Sequence, residues 1–255
     1  MRFFERHDMI IGGGIILATI AVVLAIYFGA RRILGTEPAE STQDLSASVL
    51  FRISALHGLV LALVFASEVV EYNSLEFESA IEVNAISDVY YDAARYGDDG
   101  QGIRPILQAY LETVISEEWL GLGDEGGLSS QAWTHWNAAY DFVLDLNPSS
   151  PRQVALRDNM IEKIHVIAVN RDLREYHAKT SLGLVFWIAA IVGVFLISVG
   201  YYSFPPKRDN LILLSVFATY TGLILFTIYA MSNPFSAPVA LEPIFFMELL
   251  REIES

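Results

Sequence analysis

The sequence contains no cysteine among its 255 residues. A chain without cysteine forms no disulfide, carries no thiol nucleophile and offers no thiolate to a metal. Basic residues are also scarce, since 16 Lys and Arg stand against 30 Asp and Glu and the formal net charge is −14. This balance argues against binding to nucleic acid, which needs clustered Lys and Arg, and against docking to anionic lipid headgroups.

Motifs that carry catalysis or hold a cofactor are missing as well. The sequence has no HExxH, no pair of Glu-x-x-His repeats, no phosphate-binding glycine loop with its Lys, and no nucleophile elbow. His135, His165 and His177 match no single helical face. We therefore predict that the protein is not an enzyme and uses no cofactor and no metal. A metal site assembled only in three dimensions is the less favoured alternative.

Four long apolar runs dominate the sequence, whose mean hydropathy is +0.41. They cover residues 9–30, 49–72, 181–203 and 211–231. Each has about the 20 residues that a helix needs to cross the hydrocarbon layer, and backbone groups in lipid must bond within their own helix. The sequence therefore predicts an all-α protein of the lipid bilayer, with four transmembrane helices in two pairs and a helical extramembrane cap between the second and the third.

These runs divide the chain into four predicted parts. The parts are a first transmembrane helix pair (1–72), a helical extramembrane segment (73–180), a second pair (181–233) and an interfacial C-terminal segment (234–255). The second membrane helix is expected to continue into water as far as Arg95. Ser150, Pro151 and Gln153 form a capping signature, and the helix that they begin is expected to run on into the third apolar run.

The second apolar run carries ionisable residues that membrane helices rarely tolerate. His57 and Glu68 are eleven residues apart, which returns to nearly the same helical face, and Glu71, Glu78 and Glu82 continue on that side. Turned toward a symmetry axis, this face would form rings of carboxylates and imidazoles that attract cations, so we single out these five residues as a candidate pore or polar seam. The structural alternative is that the carboxylates reach the interface and that His57 bonds to a neighbouring helix.

Basic residues in the two short connections indicate an orientation. Arg31 and Arg32 lie in the first connection, and Lys207 and Arg208 lie in the second. The positive-inside rule then places both short connections in the cytoplasm, with the termini and the middle segment on the other side.

Four further segments carry motifs that occur together in one family. They are the E-V-N-A-I stretch around Asn84, the Glu117-Glu118-Trp119 triplet, Leu146-Asn147-Pro148, and Pro234-Phe235-Ser236 after the last apolar run. In this order they resemble a bacterial family of unknown function called bestrophin-like, whose corresponding pieces are E-A-N-A-I/L, E-E-W, L-x-P and D-x-P-F-S-G. Val83 in place of Ala and Ala237 in place of Gly depart from that pattern.

The resemblance implies distant kinship with bestrophins, which are pentameric anion channels whose second membrane helix lines the pore. It therefore implies a multi-pass protein of the bacterial inner membrane that assembles as a homo-oligomeric ion channel. It also implies a cytoplasmic middle segment, against the orientation that the basic residues favour. Because acidic residues follow the second run, anion selectivity is not carried over. The alternative function is a non-conducting membrane scaffold or accessory subunit that binds a partner protein through its acidic helical cap.

Overall fold

Helices account for the regular structure of the part of the chain that the computed structural model describes, residues 6–35, 40–124, 127–180 and 182–255. In chain order they are α1 (Arg6–Leu34), α2 (Glu40–Tyr96), α3 (Ile103–Thr113), α4 (Trp119–Asp124), α5 (Ser130–Leu144), α6 (Pro151–Lys179), α7 (Leu184–Gly200), α8 (Arg208–Met231) and α9 (Ile244–Glu254). Four candidate spans, Ile10–Leu34, Glu40–Tyr96, Pro151–Ser203 and Arg208–Met231, are long and apolar enough to cross a membrane. The all-α prediction with four such helices is confirmed.

The chain folds into two compact units. The first unit comprises Met1–Val70, Leu182–Ser232 and Ala237–Val239. The second comprises Glu71–Ser181, Asn233–Ser236 and Ala240–Ser255. α2 begins in the first unit and ends in the second, which confirms that the second membrane helix continues to about Arg95.

One apolar cluster of the first unit is built from α1, α7 and α8, and a second joins Leu61 of α2 to Ala190 of α7 and Ile228 of α8. Val23 and Tyr27 of α1 pack with Val194 of α7 and with Leu214 of α8. The Tyr27 hydroxyl also donates to the carbonyl oxygen of Phe204 over 2.8 Å. Apolar packing and a hydrogen bond to the α7–α8 connection together fix α1 against the second helix pair.

Arg31, at the end of α1, is one of the basic residues that indicated the orientation. Its side chain is only 7% exposed, and its Nη1 donates to the carbonyl oxygens of Tyr202 and Phe204 over 2.8 and 2.7 Å. A guanidinium group can satisfy backbone carbonyls that helix ends leave unpaired, so this cation has a structural role in addition to any effect on orientation.

The second unit surrounds one apolar core. Leu75 and Ile86 of α2, Met160 and Ile164 of α6, and Phe246 of α9 are all at most 1% exposed within it. The helical cap that the sequence predicts between residues 72 and 180 is therefore a packed helical unit, and the C-terminal helix α9 is part of it.

The predicted start of α6 is confirmed, and its predicted end is wrong. The Ser150 side chain accepts a hydrogen bond from the Gln153 backbone N–H, and the Gln153 side chain reaches back to the backbone N–H of Ser149 over 2.9 Å. The helix does not run on into the third apolar run, because α6 ends at Lys179 and α7 begins only at Leu184. Gly183 is the N-cap of α7 in an extended conformation, and such a residue interrupts a helix readily.

Candidate functional site

The polar face of α2 in the first unit is directed toward other parts of the same chain. His57 is 7% exposed and Glu68 is 9% exposed, and Leu50 and Leu61 are buried on the same face. A Cβ atom added to Gly193 of α7 would overlap the imidazole ring at Nδ1 of His57. The absence of a side chain at this glycine therefore allows α2 and α7 to approach closely at His57.

The opposite face of α2 is exposed in the single chain. It carries large apolar side chains, with Phe51 77% exposed and Leu63 63% exposed, and small ones at Ala55, Ala62 and Ala66. A residue that lines a path between copies of a chain has to be exposed in one copy. The exposed face of α2 meets that condition, whereas His57 and Glu68 do not.

Glu71 and Glu78 lie on either side of one histidine of the second unit. Nδ1 of His177 is 3.3 Å from Oε2 of Glu71, and Nε2 is 3.1 Å from Oε2 of Glu78. The Glu71 side chain is 59% exposed, while that of Glu78 is 21% exposed. The structure thus brings these two predicted residues together around the end of α6, and only Glu71 presents most of its carboxylate to solvent.

Glu82 belongs to a buried ionic cluster, which consists of Glu82, Tyr110, Glu118, Arg171 and Arg174. Each of the five is at most 1% exposed. Arg171 binds both oxygens of the Glu118 carboxylate through Nε, over 3.1 Å each. Arg174 bridges the two glutamates, with Nη2 2.5 Å from Oε1 of Glu118 and Nη1 paired with Oε2 of Glu82. The Tyr110 hydroxyl donates to the other oxygen of Glu82 over 2.8 Å.

The buried ionic cluster extends to the backbone before α5. The Ser129 N–H donates to Oε2 of Glu118 over 2.9 Å, and Nη2 of Arg171 donates to the Ser129 carbonyl oxygen over 2.7 Å. Aromatic rings cover the remaining faces of the guanidinium groups, with Arg171 4.6 Å from the ring centroid of Trp133 and Arg174 5.4 Å from that of Trp119. These contacts stabilise charges that would otherwise be very unfavourable to bury.

The buried ionic cluster pairs two arginines with two glutamates. Burial raises the pKa of Glu82 above its ordinary value, although Arg174 and the Tyr110 hydroxyl oppose that shift. Burial by itself raises the pKa of Glu118, but the hydrogen bonds and charges of Arg171 and Arg174 outweigh it and hold that pKa below its ordinary value. Burial and the neighbouring charge of Glu82 raise the pKa of Tyr110 well above its ordinary value, so this hydroxyl is a neutral hydrogen-bond donor. The cluster is built to hold α2, α6 and the α3–α4 segment together in one arrangement.

Sequence reasoning placed Glu82 on the candidate seam and did not identify Glu118, Arg171 and Arg174 as a cluster. A signal for the arginines was present, since Arg171 and Arg174 continue the helical spacing of the buried residues Met160, Ile164 and Ile167 on α6. Charged residues on a buried stripe imply buried partners. Glu118 had no such signal, because it ends a π-helical turn, Val114–Glu118, that changes the helical register between α3 and α4.

The residues that carried the family motif lie in two places. Asn84 is exposed on α2. Pro234, Phe235 and Ser236 pack near α4: the Phe235 ring meets the Trp119 ring edge to face at 5.3 Å, and the Ser236 hydroxyl donates to the carbonyl oxygen of Gly123 over 2.9 Å. The Pro234 carbonyl oxygen accepts from the N–H of Leu241 over 2.7 Å. This motif therefore shapes the segment between α8 and α9.

Within the described ranges, no group of three or more His, Asp and Glu side chains has a geometry that could hold a metal ion. The arrangement around His177 illustrates the reason, since its two carboxylates lie against different ring nitrogens instead of converging on one point.

The family model and the similar solved structures each match most of the chain. The model of the Bestrophin-like domain family matches residues 17–244. A crystal structure of a bacterial bestrophin homologue from Klebsiella pneumoniae, carrying a leucine-to-threonine mutation, has a similar fold with a TM-score of 0.62 at 17% sequence identity, over 93% of this chain and 97% of that chain. A second one, with an aspartate-to-alanine mutation, gives a TM-score of 0.61 at 15% identity, over 94% and 96%. No curated protein matches the sequence.

Proposed function

Since the chain belongs to the Bestrophin-like family, we propose that it is an oligomeric ion channel of the bacterial inner membrane, with α2 lining the path between copies. The observation that carries the proposal is the extent of the match, which covers residues 17–244 and so includes the candidate spans almost completely. Four membrane helices do not easily enclose a wide path, so copies of the chain have to assemble around an axis.

The face of α2 that we assign to the path is the exposed one. Ala55, Ala62 and Ala66 recur on it at helical spacing, and their small side chains leave room beside an axis. The buried polar seam with His57 then has a supporting role, because it fixes α2 against α7 and so sets the direction of the exposed face. Glu71, with its exposed carboxylate, supplies negative charge beyond the lined stretch.

The proposed division of the chain follows the four apolar runs of the sequence. Residues 1–72 and 181–233 contribute the two membrane helix pairs, and residues 73–180 form the extramembrane cap. Residues 234–255 are proposed to lie at the membrane surface. Within this segment α9 buries Phe246 and Leu249 in the second unit and exposes Glu248 and Arg251, so its apolar face is directed to the cap and its charged face to water.

Single cysteines provide a sharp test, because the chain has no native thiol. Ala62→Cys is placed on the exposed face of α2, and Val216→Cys, at a residue that is 60% exposed on α8, is the matched control. Both variants are reconstituted in planar bilayers and treated with a positively charged methanethiosulfonate reagent. We expect the reagent to reduce the current through Ala62→Cys and to leave that through Val216→Cys unchanged, since only the first thiol faces the path.

Two results would contradict the proposal at different levels. Folded wild-type protein that forms no closed ring in a detergent mass measurement and conducts nothing over a range of voltage, pH and salt would favour the scaffold. A conducting protein whose current is unaffected at Ala62→Cys would remain a channel, but with a path lined by another helix.

A further inference from the structure

A pocket of about 220 Å³ lies in the second unit beside the Trp119 ring. Its walls come from α2, from α4 and from residues 241–246 before and within α9. Trp119 and the partly exposed Phe245 form an apolar aromatic wall, and the fully buried Phe246, whose ring centroid is 5.6 Å from that of Trp119, packs behind it. This volume lies below the range of about 300–1,000 Å³ that is typical of ligand pockets, so the cavity suits only a small ligand.

Two carboxylates stand at this apolar pocket. Glu76 of α2 and Glu242 before α9 both line it, and both are exposed. Among the described residues, no Lys, Arg or His side chain lies within ion-pair distance of either. Their negative charge is therefore not compensated by the protein.

The guanidinium group of Arg174, which lies behind the aromatic wall, does not compensate the negative charge of Glu76 and Glu242. The Arg174 guanidinium is 5.4 Å from the Trp119 ring centroid and 5.3 Å from that of Phe246. It is already paired with Glu82 and Glu118 in the buried ionic cluster. The uncompensated charge that a ligand meets in this pocket is negative.

We propose that this pocket binds a small organic monocation, with its apolar group against Trp119 and Phe245 and its ammonium group toward Glu76 and Glu242. An anion would be repelled by the carboxylates, an inorganic cation has no apolar group to bury against the aromatic wall, and a neutral apolar ligand would gain nothing from the carboxylates. Ser79 adds an acceptor, because its hydroxyl donates to the Leu75 carbonyl oxygen over 2.8 Å and its oxygen lone pairs remain available to an ammonium N–H. The proposal does not depend on whether the protein conducts.

Calorimetric titration of the full-length protein in a neutral maltoside detergent tests this site. The probe is phenethylammonium, and the comparator is 2-phenylethanol, which has nearly the same shape and no charge. We expect saturable binding of phenethylammonium with a Kd of about 1 mM, a value typical of a ligand with roughly nine non-hydrogen atoms. The alcohol should bind about tenfold more weakly, because it makes no charge interaction with the carboxylates.

Two variants distinguish binding in the pocket from nonspecific attraction of the cation to the net negative charge of the protein. The Glu76→Gln/Glu242→Gln double substitution is expected to weaken phenethylammonium binding about tenfold. Glu248→Gln, which removes an exposed charge from α9 outside the pocket, should leave it unchanged. Circular dichroism of each variant checks the fold.

The proposal is overturned by any of three results in folded protein. These are no saturable binding of phenethylammonium to the wild type, equal binding of the amine and the alcohol, and equal weakening by the control and by the double substitution.

Discussion

Glu118 shows, at the scale of single residues, how this chain keeps charges in an apolar interior. Both of its carboxylate oxygens are bonded, to Arg171, Arg174 and the Ser129 N–H, and no part of the side chain reaches solvent. A buried ion pair contributes little net stability compared with apolar packing, yet removing one member leaves the other charge buried without a partner. Single substitutions in this cluster should therefore be far more destabilising than those of surface ion pairs.

Arg174→Met tests that expectation on α6. The substitution leaves Glu82 without its arginine and removes one of the two from Glu118, so we expect the free energy of unfolding to fall by about 3–5 kcal/mol. Lys163→Met on the same helix is the control, because it removes only the partly exposed pair of Lys163 with Asp88, whose atoms are 2.8 Å apart, and should cost below about 1 kcal/mol. Urea unfolding followed by circular dichroism measures both. Equal losses in the two variants would show that the cluster does not behave as a buried network.

Glu118→Gln gives a second prediction, which concerns pH. The folded-state pKa of Glu118 is lowered, so its ionised form contributes stability above the ordinary carboxyl pKa of about 4.3, and that contribution is lost as the pH falls through the folded-state value. At pH 7 we expect the substitution to lower the free energy of unfolding by about 3 kcal/mol. The gap between wild type and variant should narrow on acidification below about pH 4. Glu117→Gln, at the exposed neighbouring position, should show neither effect.

α2 shows, at the scale of elements, how one helix can present two different faces. Its buried face meets α7 so closely at Gly193 that even one added carbon atom would overlap the His57 ring. Its exposed face carries small and large apolar residues and makes no contact of this closeness at Gly58. A Cβ atom added there would meet nothing within 4 Å. The close contact thus fixes the rotation of α2 about its own axis.

Substituting Gly193 by alanine should disturb this helix pair. We expect Gly193→Ala to destabilise the protein by about 1–3 kcal/mol, as overpacking of a tight interface does. His57→Ala should reduce that loss when the two are combined, since it removes the ring that the new methyl group meets. The control is Gly14→Ala in α1, where no atom lies within 4 Å of an added Cβ, and alanine should be neutral or slightly stabilising there. Additive effects of the two substitutions would contradict direct contact.

The sequence predicts where α6 begins, but it predicts neither where α6 ends nor the buried ionic cluster. The start of α6 follows from local chemistry, because Ser150, Pro151 and Gln153 satisfy backbone groups within one turn. The end of α6 depends on a break before α7 that apolar composition does not reveal. The buried ionic cluster joins Glu82 to Arg174 across 92 positions of the chain, and such pairing is decided by tertiary packing. The burial of Glu82, which the helical face alone could not predict, has the same origin.

At the scale of the whole molecule, the four apolar runs are the most informative feature of the sequence. Their length and number predict the candidate spans, because the bilayer imposes one length on any helix that crosses it. The orientation that the sequence indicates depends on a few charges. Arg31, which the positive-inside rule counts, is buried in backbone hydrogen bonds, and the resemblance to bestrophins implies the opposite orientation.

Labelling of single cysteines decides both the layout and the orientation. An even number of crossings places the termini and the middle segment on one side and the two short connections on the other. Ser41→Cys, in the first turn of α2 and before its apolar run, and Ser149→Cys, before α6, are both at exposed positions. The two thiols should react with a membrane-impermeant maleimide from opposite sides. Ile188→Cys, at an apolar position of α7 that is 53% exposed, should remain unlabelled from both sides because lipid covers it.

The side from which Ser149→Cys reacts distinguishes the two orientations. Labelling in intact spheroplasts follows from the basic residues in the short connections, and labelling only in inverted vesicles follows from the bestrophin resemblance. We expect the inverted vesicles to label Ser149→Cys, because the Bestrophin-like family match covers residues 17–244, whereas the other orientation rests on a few basic residues. Reaction of Ser41→Cys and Ser149→Cys from the same side would reject the four-span layout itself, since that layout places one crossing between them and same-side reaction requires an even number.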